Sequence, residues 1–260
     1  AQHGGFDFSW LLANLEIGKI PVAVDDQEYE QVETLVLNHK ALQAAESYVL
    51  GLFHMYFTVY FHKTTRAAEK MLSGVLLRVG QLLLEDNIQA TGMINTNPIV
   101  KFLMERNLES YLQTDDFVMW GSLSVMSQSN DQHLKELSSR LLNRDLYKAI
   151  DISGHFEGGT GDLGVSQFRV ELTNAKNNGV FEAFEIFEDR PTRNPYKIRG
   201  YGSPEALSKV HLMRPNRNLI DLGDCSQVVN AMNEKSLYRV YVKDEAADAK
   251  IRDLLGRVEK

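Results

Sequence analysis

The sequence predicts an α+β fold, with a mainly helical region over residues 1–145 and a smaller α+β domain over residues 146–260. Two observations support this prediction. In the first region apolar residues recur at steps of three and four, as they do along one face of a helix. In the second region the spacing falls toward two, which is the period of a strand with one buried face.

The helical region is expected to open with a short helix from Phe6 to Leu15. Two strands, or a strand pair, are predicted between Ile20 and Leu37 around the acidic turn Asp25-Asp26. The strongest local signal follows, because six apolar residues at helical spacing predict one long helix from His39 to His62. These six residues are Leu42, Ala45, Val49, Leu52, Tyr56 and Val59. Further helices are predicted through Ala68 to Leu82, Asn97 to Asn107, Phe117 to Met126 and Asp131 to Leu142.

The second domain is predicted to hold strands from Tyr147 to Ile152, Phe181 to Phe187, Lys209 to Met213 and Leu237 to Val242. Short helices are predicted from Ser226 to Glu234 and from Glu245 to Val258. The glycine-rich segment from Gly154 to Gly164 is expected to be a flexible loop. A phosphate-binding loop would need Gly-Lys-Ser/Thr where this segment continues as Asp162-Leu163-Gly164.

Charge and cysteine content narrow the class of protein. The chain has 35 acidic and 28 basic residues and a net charge of −7, which argues against nucleic acid as its main partner. The single cysteine, Cys225, excludes an intrachain disulfide, so a reducing cytoplasm is the expected location. No apolar run approaches the roughly 18 residues of a membrane helix, and no membrane partner is expected. Since the chain does not begin with Met, we expect it to be part of a longer protein.

No catalytic residue and no metal ligand is assigned within the chain. None of the seven histidines is followed by Asp, and none belongs to a His-x-x-x-His or His-Glu-x-x-His motif. His54 and His62 lie two helical turns apart, which is too far for one metal site. No Gly-x-Ser-x-Gly elbow occurs, and Cys225 is interpreted as a small buried or capping residue.

One segment carries a more specific arrangement. Tyr56 and Tyr60 lie four residues apart, so both rings are expected on one helix face. Lys63 continues that face, and His62 and Arg66 are also four residues apart. Aromatic faces for a base beside cations for phosphates form a chemically sensible nucleotide-binding surface. The alternative is ordinary core packing, with the basic end compensating the helix dipole.

The stretch from Glu46 to Met71 resembles the HD-domain phosphohydrolases related to the deoxynucleoside triphosphate triphosphohydrolases. Their corresponding helix commonly carries the pattern Met-Tyr/Phe-x-x-Val-Tyr-x-His-Lys-Thr-x-Arg. The matching residues are Met55, Tyr56, Val59, Tyr60, His62, Lys63, Thr64 and Arg66. Three later segments resemble the family's second domain: Asn194-Pro195-Tyr196, the Leu219–Met232 region and Leu237–Val242. The resemblance therefore covers nearly the whole chain, which corresponds to a C-terminal portion without the HD motif.

This resemblance implies a helical phosphohydrolase acting on nucleotides such as deoxynucleoside triphosphates. Its divalent metal would be held by an upstream His, a His-Asp pair and a later Asp, all expected in a missing N-terminal HD segment before Ala1. It also implies that Tyr60 lines the substrate pocket, and that His62 and Lys63 face nucleotide at a site between subunits of a homo-oligomer in the regulated members. The family often has a phosphate-binding Arg where this chain has Leu52, so another substrate or binding mode is an alternative.

Three hypotheses follow for the function of the chain. The first is that it forms, together with the HD segment, a metal-dependent phosphohydrolase, to which it contributes nucleotide-pocket and subunit-contact residues. The second is a non-catalytic nucleotide-sensing or oligomerisation module. The third is a structural helical protein with an α+β appendage, which is the interpretation that remains if composition alone is considered.

Overall fold

A computed structural model describes residues 7–25, 28–156, 161–194, 196, 207 and 209–259 of the chain. This part contains both helices and strands, which confirms the predicted α+β class. The helices are α1 (Phe8–Ala13), α2 (Leu42–Met55), α3 (Lys63–Leu84), α4 (Pro98–Glu105), α5 (Leu108–Leu112), α6 (Asp116–Met126), α7 (Gln132–Leu142), α8 (Ile152–His155), α9 (Gly161–Asn177), α10 (Leu222–Cys225), α11 (Gln227–Asn230) and α12 (Glu245–Val258). The strands are β1 (Leu15–Asp25), β2 (Glu28–Asn38), β3 (Lys148–Asp151), β4 (Ile186–Asp189), β5 (Thr192–Arg193), β6 (His211–Met213), β7 (Leu219–Asp221), β8 (Lys235–Ser236) and β9 (Arg239–Val242).

The chain forms two compact units, each built from two segments. The first unit comprises Ala1–Phe61 and Thr192–Ser236, and the second comprises His62–Pro191 and Leu237–Lys260. Each unit therefore combines an early and a late part of the chain. The predicted boundary between residues 145 and 146 falls inside the second unit and, as a domain boundary, stays a prediction.

The first unit is built on a four-stranded sheet in the order β1-β2-β6-β7. β1 and β2 are antiparallel with Ile20 opposite Val32, which confirms the predicted strand pair. The predicted acidic turn between them includes residue 26, which lies outside the described residues. The predicted N-terminal helix ends at Ala13 rather than Leu15, because Leu15 already pairs with Leu37 in the sheet. α2 packs on this sheet through a buried cluster that includes Leu37, Ala41, Ala45, Val49, Leu212, Leu222 and Val229.

The predicted long helix from His39 to His62 is interrupted in the structure. α2 passes into a π-helical turn, Tyr56–Tyr60, in which the Phe61 amide donates to the Tyr56 carbonyl oxygen at 2.7 Å. This run of aromatic and β-branched residues has low propensity for a regular α-helix. α3 then begins at Lys63, with His62 as its N-cap.

Helix packing dominates the first half of the second unit. α3 buries one face through Ala67, Met71, Val75, Val79 and Leu82, which pack with Leu134, Leu137 and Leu141 of α7. The side chains of Asn97, Asp115 and Asp131 accept from backbone amides at the starts of α4, α6 and α7, so the predicted starts of these helices are confirmed to within one residue. At Gly74 a β-carbon would lie 2.6 Å from Cζ of Phe187, and the absence of a side chain allows α3 to approach β4.

The second unit also contains a three-stranded antiparallel sheet in the order β3-β9-β4. Its central strand is buried on both faces, because Tyr241 belongs to the cluster around α3 while Val240 and Val242 belong to another. That second cluster adds Phe168 and Leu172 of α9 to Ile251 of α12. The sheet thus has helices packed on both sides.

Several predicted element limits are corrected. The glycine-rich loop expected up to Gly164 gives way to α9 at Gly161, while residues 157–160 lie outside the described residues. The strand expected from Phe181 begins only at Ile186, because Phe184 has a left-handed φ of 60° and Glu182 donates its amide to the Glu185 carboxylate at 2.7 Å. The strands expected to begin at Lys209 and Leu237 begin at His211 and Arg239 instead. The helix expected to end at Glu234 ends at Asn230. The predicted helix Glu245–Val258 is confirmed.

Candidate functional site

The π-helical turn places Tyr56 and Tyr60 side by side in the first unit. Their ring centroids are 4.8 Å apart at an interplanar angle of 43°. Tyr56 is half-buried, whereas 48% of Tyr60 is exposed, so Tyr60 has a ring face available to a ligand. Leu52 lies one turn earlier, where its carbonyl oxygen accepts from the Tyr56 amide, and it brings an apolar side chain to this position.

Two cations that sequence reasoning missed lie against this aromatic group. Arg193 in β5 pairs with Lys235 in β8 to form a short antiparallel ribbon. The guanidinium carbon of Arg193 is 3.8 Å from the centroid of the Tyr56 ring, and Nζ of Lys235 is 5.4 Å from that of Phe57. Both distances are within the range of a cation–π contact. Arg193 directly precedes the Asn194-Pro195-Tyr196 motif, but nothing in the sequence linked it to Tyr56.

The other three predicted residues, His62, Lys63 and Arg66, belong to the second unit. His62 is exposed and its Nδ1 accepts from the Thr64 amide at 3.3 Å, which caps α3. Lys63 is exposed at the first position of that helix. The structure therefore brings Tyr56 and Tyr60 together and groups the remaining three at the start of α3.

Arg66 is engaged in a buried ion pair. Its Nε and Nη2 donate to the two carboxylate oxygens of Asp189 at 2.8 and 2.5 Å, and Nζ of Lys70 lies 3.1 Å from the same carboxylate. Burial disfavours the charged form of Asp189, but the hydrogen bonds from Arg66 and Lys70 outweigh it and hold the pKa of Asp189 below its ordinary value. Arg66 thus joins α3 to β4, and its contact with a phosphate stays a prediction.

Lys63 lines a cleft of about 460 Å³ within the second unit, which we call the basic cleft. Its described lining consists of Lys63, Thr64, Arg144, Leu146, Tyr147, Lys148 and Ala149. Three of these residues are cationic and none is acidic. Asp145, which follows Arg144 in the chain, is 3.1 Å from Nε of Arg140 and pairs with that residue.

The far wall of the basic cleft follows the end of α7. Arg144 has a left-handed φ of 58°, a conformation that costs a non-glycine residue about 1–2 kcal/mol. Tyr147 is buried, its hydroxyl donates to the Phe184 carbonyl oxygen at 2.8 Å, and burial raises its pKa. This anchored tyrosine fixes the backbone from which the exposed side chains of Arg144 and Lys148 extend.

The described residues contain no group of three or more His, Cys, Asp and Glu side chains placed to hold a metal ion. The part of the chain that the structure describes therefore does not fit a divalent metal site, and no chemical step is assigned to one. Among the same residues, no helix combines the length and the apolar character needed to cross a membrane.

Fold and site define a helix-rich α+β protein with a cationic cleft beside α3. Residues 27–157 match the family model described as HD associated region, which covers half of the chain. The chain belongs to this HD-domain-related family.

Proteins of known sequence or structure are also similar to this chain. The uncharacterized protein YwfO of Bacillus subtilis (strain 168) is 27% identical in an alignment of 238 residues that covers 86% of this chain and 52% of that protein. A phosphohydrolase of Bacteroides thetaiotaomicron VPI-5482 has a similar fold, with a TM-score of 0.57 and 20% identity over 81% of this chain and 52% of its own. A hypothetical protein from Aquifex aeolicus has a TM-score of 0.58 and 18% identity over 98% of this chain and 53% of its own. This chain thus spans about half the length of these relatives.

Proposed function

We propose that this chain is the C-terminal part of an HD-type, metal-dependent phosphohydrolase that acts on nucleotides of the deoxynucleoside triphosphate kind. Its contribution is nucleotide binding and subunit contact in a homo-oligomer. The observation that carries the proposal is the basic cleft, whose described lining includes Lys63, Arg144 and Lys148 and no acidic residue. The name of the Bacteroides relative, a phosphohydrolase, and membership of an HD-associated family support the reaction class.

The basic cleft has the chemistry and the size for the phosphates of a nucleotide. Its volume lies in the range of small-molecule sites, about 300–1,000 Å³. A charge-assisted hydrogen bond contributes about 1.5–3 kcal/mol, so three cations favour an anion of several charges over a neutral ligand. The Thr64 hydroxyl adds an uncharged donor at the same wall.

Different parts of the full-length protein are proposed to bind the nucleoside, the metal and a second subunit. Tyr60 offers an exposed ring face in the first unit, suited to stacking on a nucleoside. The divalent metal would be held by the HD segment, where it would polarise a phosphoryl oxygen and activate water. Exposed apolar side chains on α5 and α6, among them Leu112, Phe117 and Trp120, support a subunit contact. A monomeric mass in light scattering would argue against it.

The reaction itself is tested by phosphate release. The protein carrying its HD segment is incubated with deoxynucleoside triphosphates, with and without Mn²⁺ or Mg²⁺. We expect metal-dependent release that stops with a chelator and resumes when metal is restored. Nucleotide binding without turnover under all these conditions would instead support a sensing module.

Tyr60→Ala is expected to lower kcat/KM for the nucleotide roughly 5- to 150-fold, since stacking on an aromatic ring contributes about 1–3 kcal/mol per base. The exposed neighbour Val59 provides the control, because Val59→Ala changes the same turn without removing a ring. Steady-state kinetics equal to wild type in the Tyr60 variant would remove this residue from the pocket.

Replacing Lys63, Arg144 and Lys148 together by Gln should remove one class of triphosphate-binding sites in isothermal titration calorimetry. The remaining affinity should also depend less steeply on salt concentration, because fewer cations neutralise phosphates. A control variant with the same change in net charge replaces three exposed cations of the second unit that do not line the cleft, Arg106, Lys135 and Arg257. An equal loss in both variants would show that only the net charge matters.

A further inference from the structure

Among the residues that the structure describes, Arg193 contacts an aromatic ring and no acid. Its guanidinium carbon lies 3.8 Å from the centroid of the Tyr56 ring, which places the planar group against the ring face. Stacking of this kind uses the π face of the guanidinium and leaves its N–H groups directed outward in the plane. The ring therefore orients the side chain without using its N–H donors.

One of those donors is buried without a partner. Nε of Arg193 has no hydrogen-bond acceptor within the part of the chain that the structure describes. A buried donor left unsatisfied costs about 1–3 kcal/mol, and more in a charged group. The guanidinium groups of Arg66 and Arg78 contrast with it, because Asp189 and Asp131 accept from them at 2.8 and 2.7 Å. Arg193 is thus an oriented cation whose charge no described carboxylate neutralises by an ion pair.

The surroundings of Arg193 add a second cation and a free ring. Lys235 lies directly across the ribbon and places its ammonium group over Phe57. Tyr60 contacts Tyr56 on the same turn and is half exposed. Within the first unit alone, two cations therefore flank aromatic side chains, one of which can still accept a stacked ring.

We infer that Arg193 binds a phosphate group of a nucleotide whose nucleoside rests on Tyr60, with Lys235 as the second cation. This inference rests on the proposed function and deepens it by naming a specificity-determining residue that favours phosphorylated over unphosphorylated ligands. Phosphate oxygens would accept from the two terminal nitrogens of Arg193, in the two-pronged geometry that arginine favours.

The test is isothermal titration calorimetry of a deoxynucleoside triphosphate and of the corresponding nucleoside. It uses the basic-cleft variant, with Lys63, Arg144 and Lys148 replaced by Gln, so that this cleft does not contribute. We expect Arg193→Gln in that background to weaken triphosphate binding about 10- to 100-fold and to leave nucleoside binding unchanged. Arg193→Lys should lie between the two, since it keeps the charge but loses the planar fork. Arg217→Gln, an exposed change of the same charge in the same unit, should have no effect.

The possible binding results distinguish failure of this inference from failure of the proposed function. Equal triphosphate binding with and without Arg193, or no binding to the basic-cleft variant while wild type binds, overturns the inference and leaves the proposed function standing. Failure of wild type to bind any nucleotide removes the proposed function and this inference with it. If Arg193→Gln lowers Tm and weakens nucleoside and triphosphate equally, Arg193 only supports the packing of Tyr56, and the inference is wrong.

Discussion

Replacing Asp189 by Ala is expected to lower the free energy of unfolding by about 3–5 kcal/mol, measured by urea denaturation. Asp189 is 2% exposed and accepts from Arg66 and Lys70, so its removal takes the buried acceptor from two partly buried cations, and Arg66 keeps only its pair with the exposed Glu69. Adding Arg66→Met to this variant should recover part of the loss, because it removes a partly buried charge that has lost its buried partner. The exposed pair of Asp253 and Arg257 is the control, and Asp253→Ala should cost no more than about 1 kcal/mol.

The same carboxylate gives a pH dependence of defined sign. The pKa of Asp189 is lowered in the folded protein, so its ionised form contributes stability above the unfolded-state pKa of about 3.9. That contribution is lost as the pH falls through the lower, folded-state pKa. The stability difference between wild type and Asp189→Ala should be constant above about pH 5 and should shrink below about pH 4. A difference that did not change with pH in acid would contradict the ion pair.

Phe168→Ala should cost about 3–5 kcal/mol, the usual range for removal of a fully buried aromatic side chain. Phe168 is 0% exposed in α9, and its ring lies edge-on to Tyr238 at a centroid distance of 6.2 Å. The lost contacts and the cavity that remains both contribute, since neighbours such as Leu172 and Ile251 can close only part of it. Urea denaturation followed by circular dichroism measures the change.

The control for Phe168 lies two residues away on the same helix. Val170 is 59% exposed, and Val170→Ala should change stability by no more than about 0.5 kcal/mol. If the two substitutions had equal effects, α9 would not be packed against the sheet as described.

Capped amphipathic helices were the part of the fold that the sequence predicted best. Asn97, Asp115 and Asp131 each precede an apolar repeat, and each accepts a backbone hydrogen bond at a helix start. The strand pair β1–β2 was predicted for a similar reason, because its alternation is local and its partner is adjacent in the chain. In both cases the signal lies within a few residues of the structure it specifies.

The wrong secondary-structure predictions lie where contacts between distant segments determine the structure. α9 was overlooked because its glycine-rich start suggested a loop, although Phe168, Leu172 and Ala175 occupy one buried face. The alternating segment from Phe181 was assigned to a strand, but only the part after Glu185 finds a partner, in β9. Alternation shows that a strand is possible, while pairing determines where it begins.

The residues of the candidate site come partly from sequence patterns and partly from the structure. Tyr60 and Lys63 lie within one local motif, which is why sequence spacing identified them. Arg144 and Lys148 reach the basic cleft through the turn after α7, and Arg193 reaches Tyr56 through the β5–β8 ribbon. No local pattern in a single sequence encodes such contacts between distant segments.

The strand order of the second unit bears on how that unit acquires its structure. β9 lies between β3 and β4 although it follows both in the chain. While the polypeptide emerges from the ribosome, β3 and β4 have no hydrogen-bonding partner within this sheet until β9 has been synthesised. Closing the long loops that bring β9 into place is slow, because the entropy cost precedes the contacts that offset it. The helices around α3 can associate earlier, so the sheet should form late in folding and leave its apolar strands exposed until then.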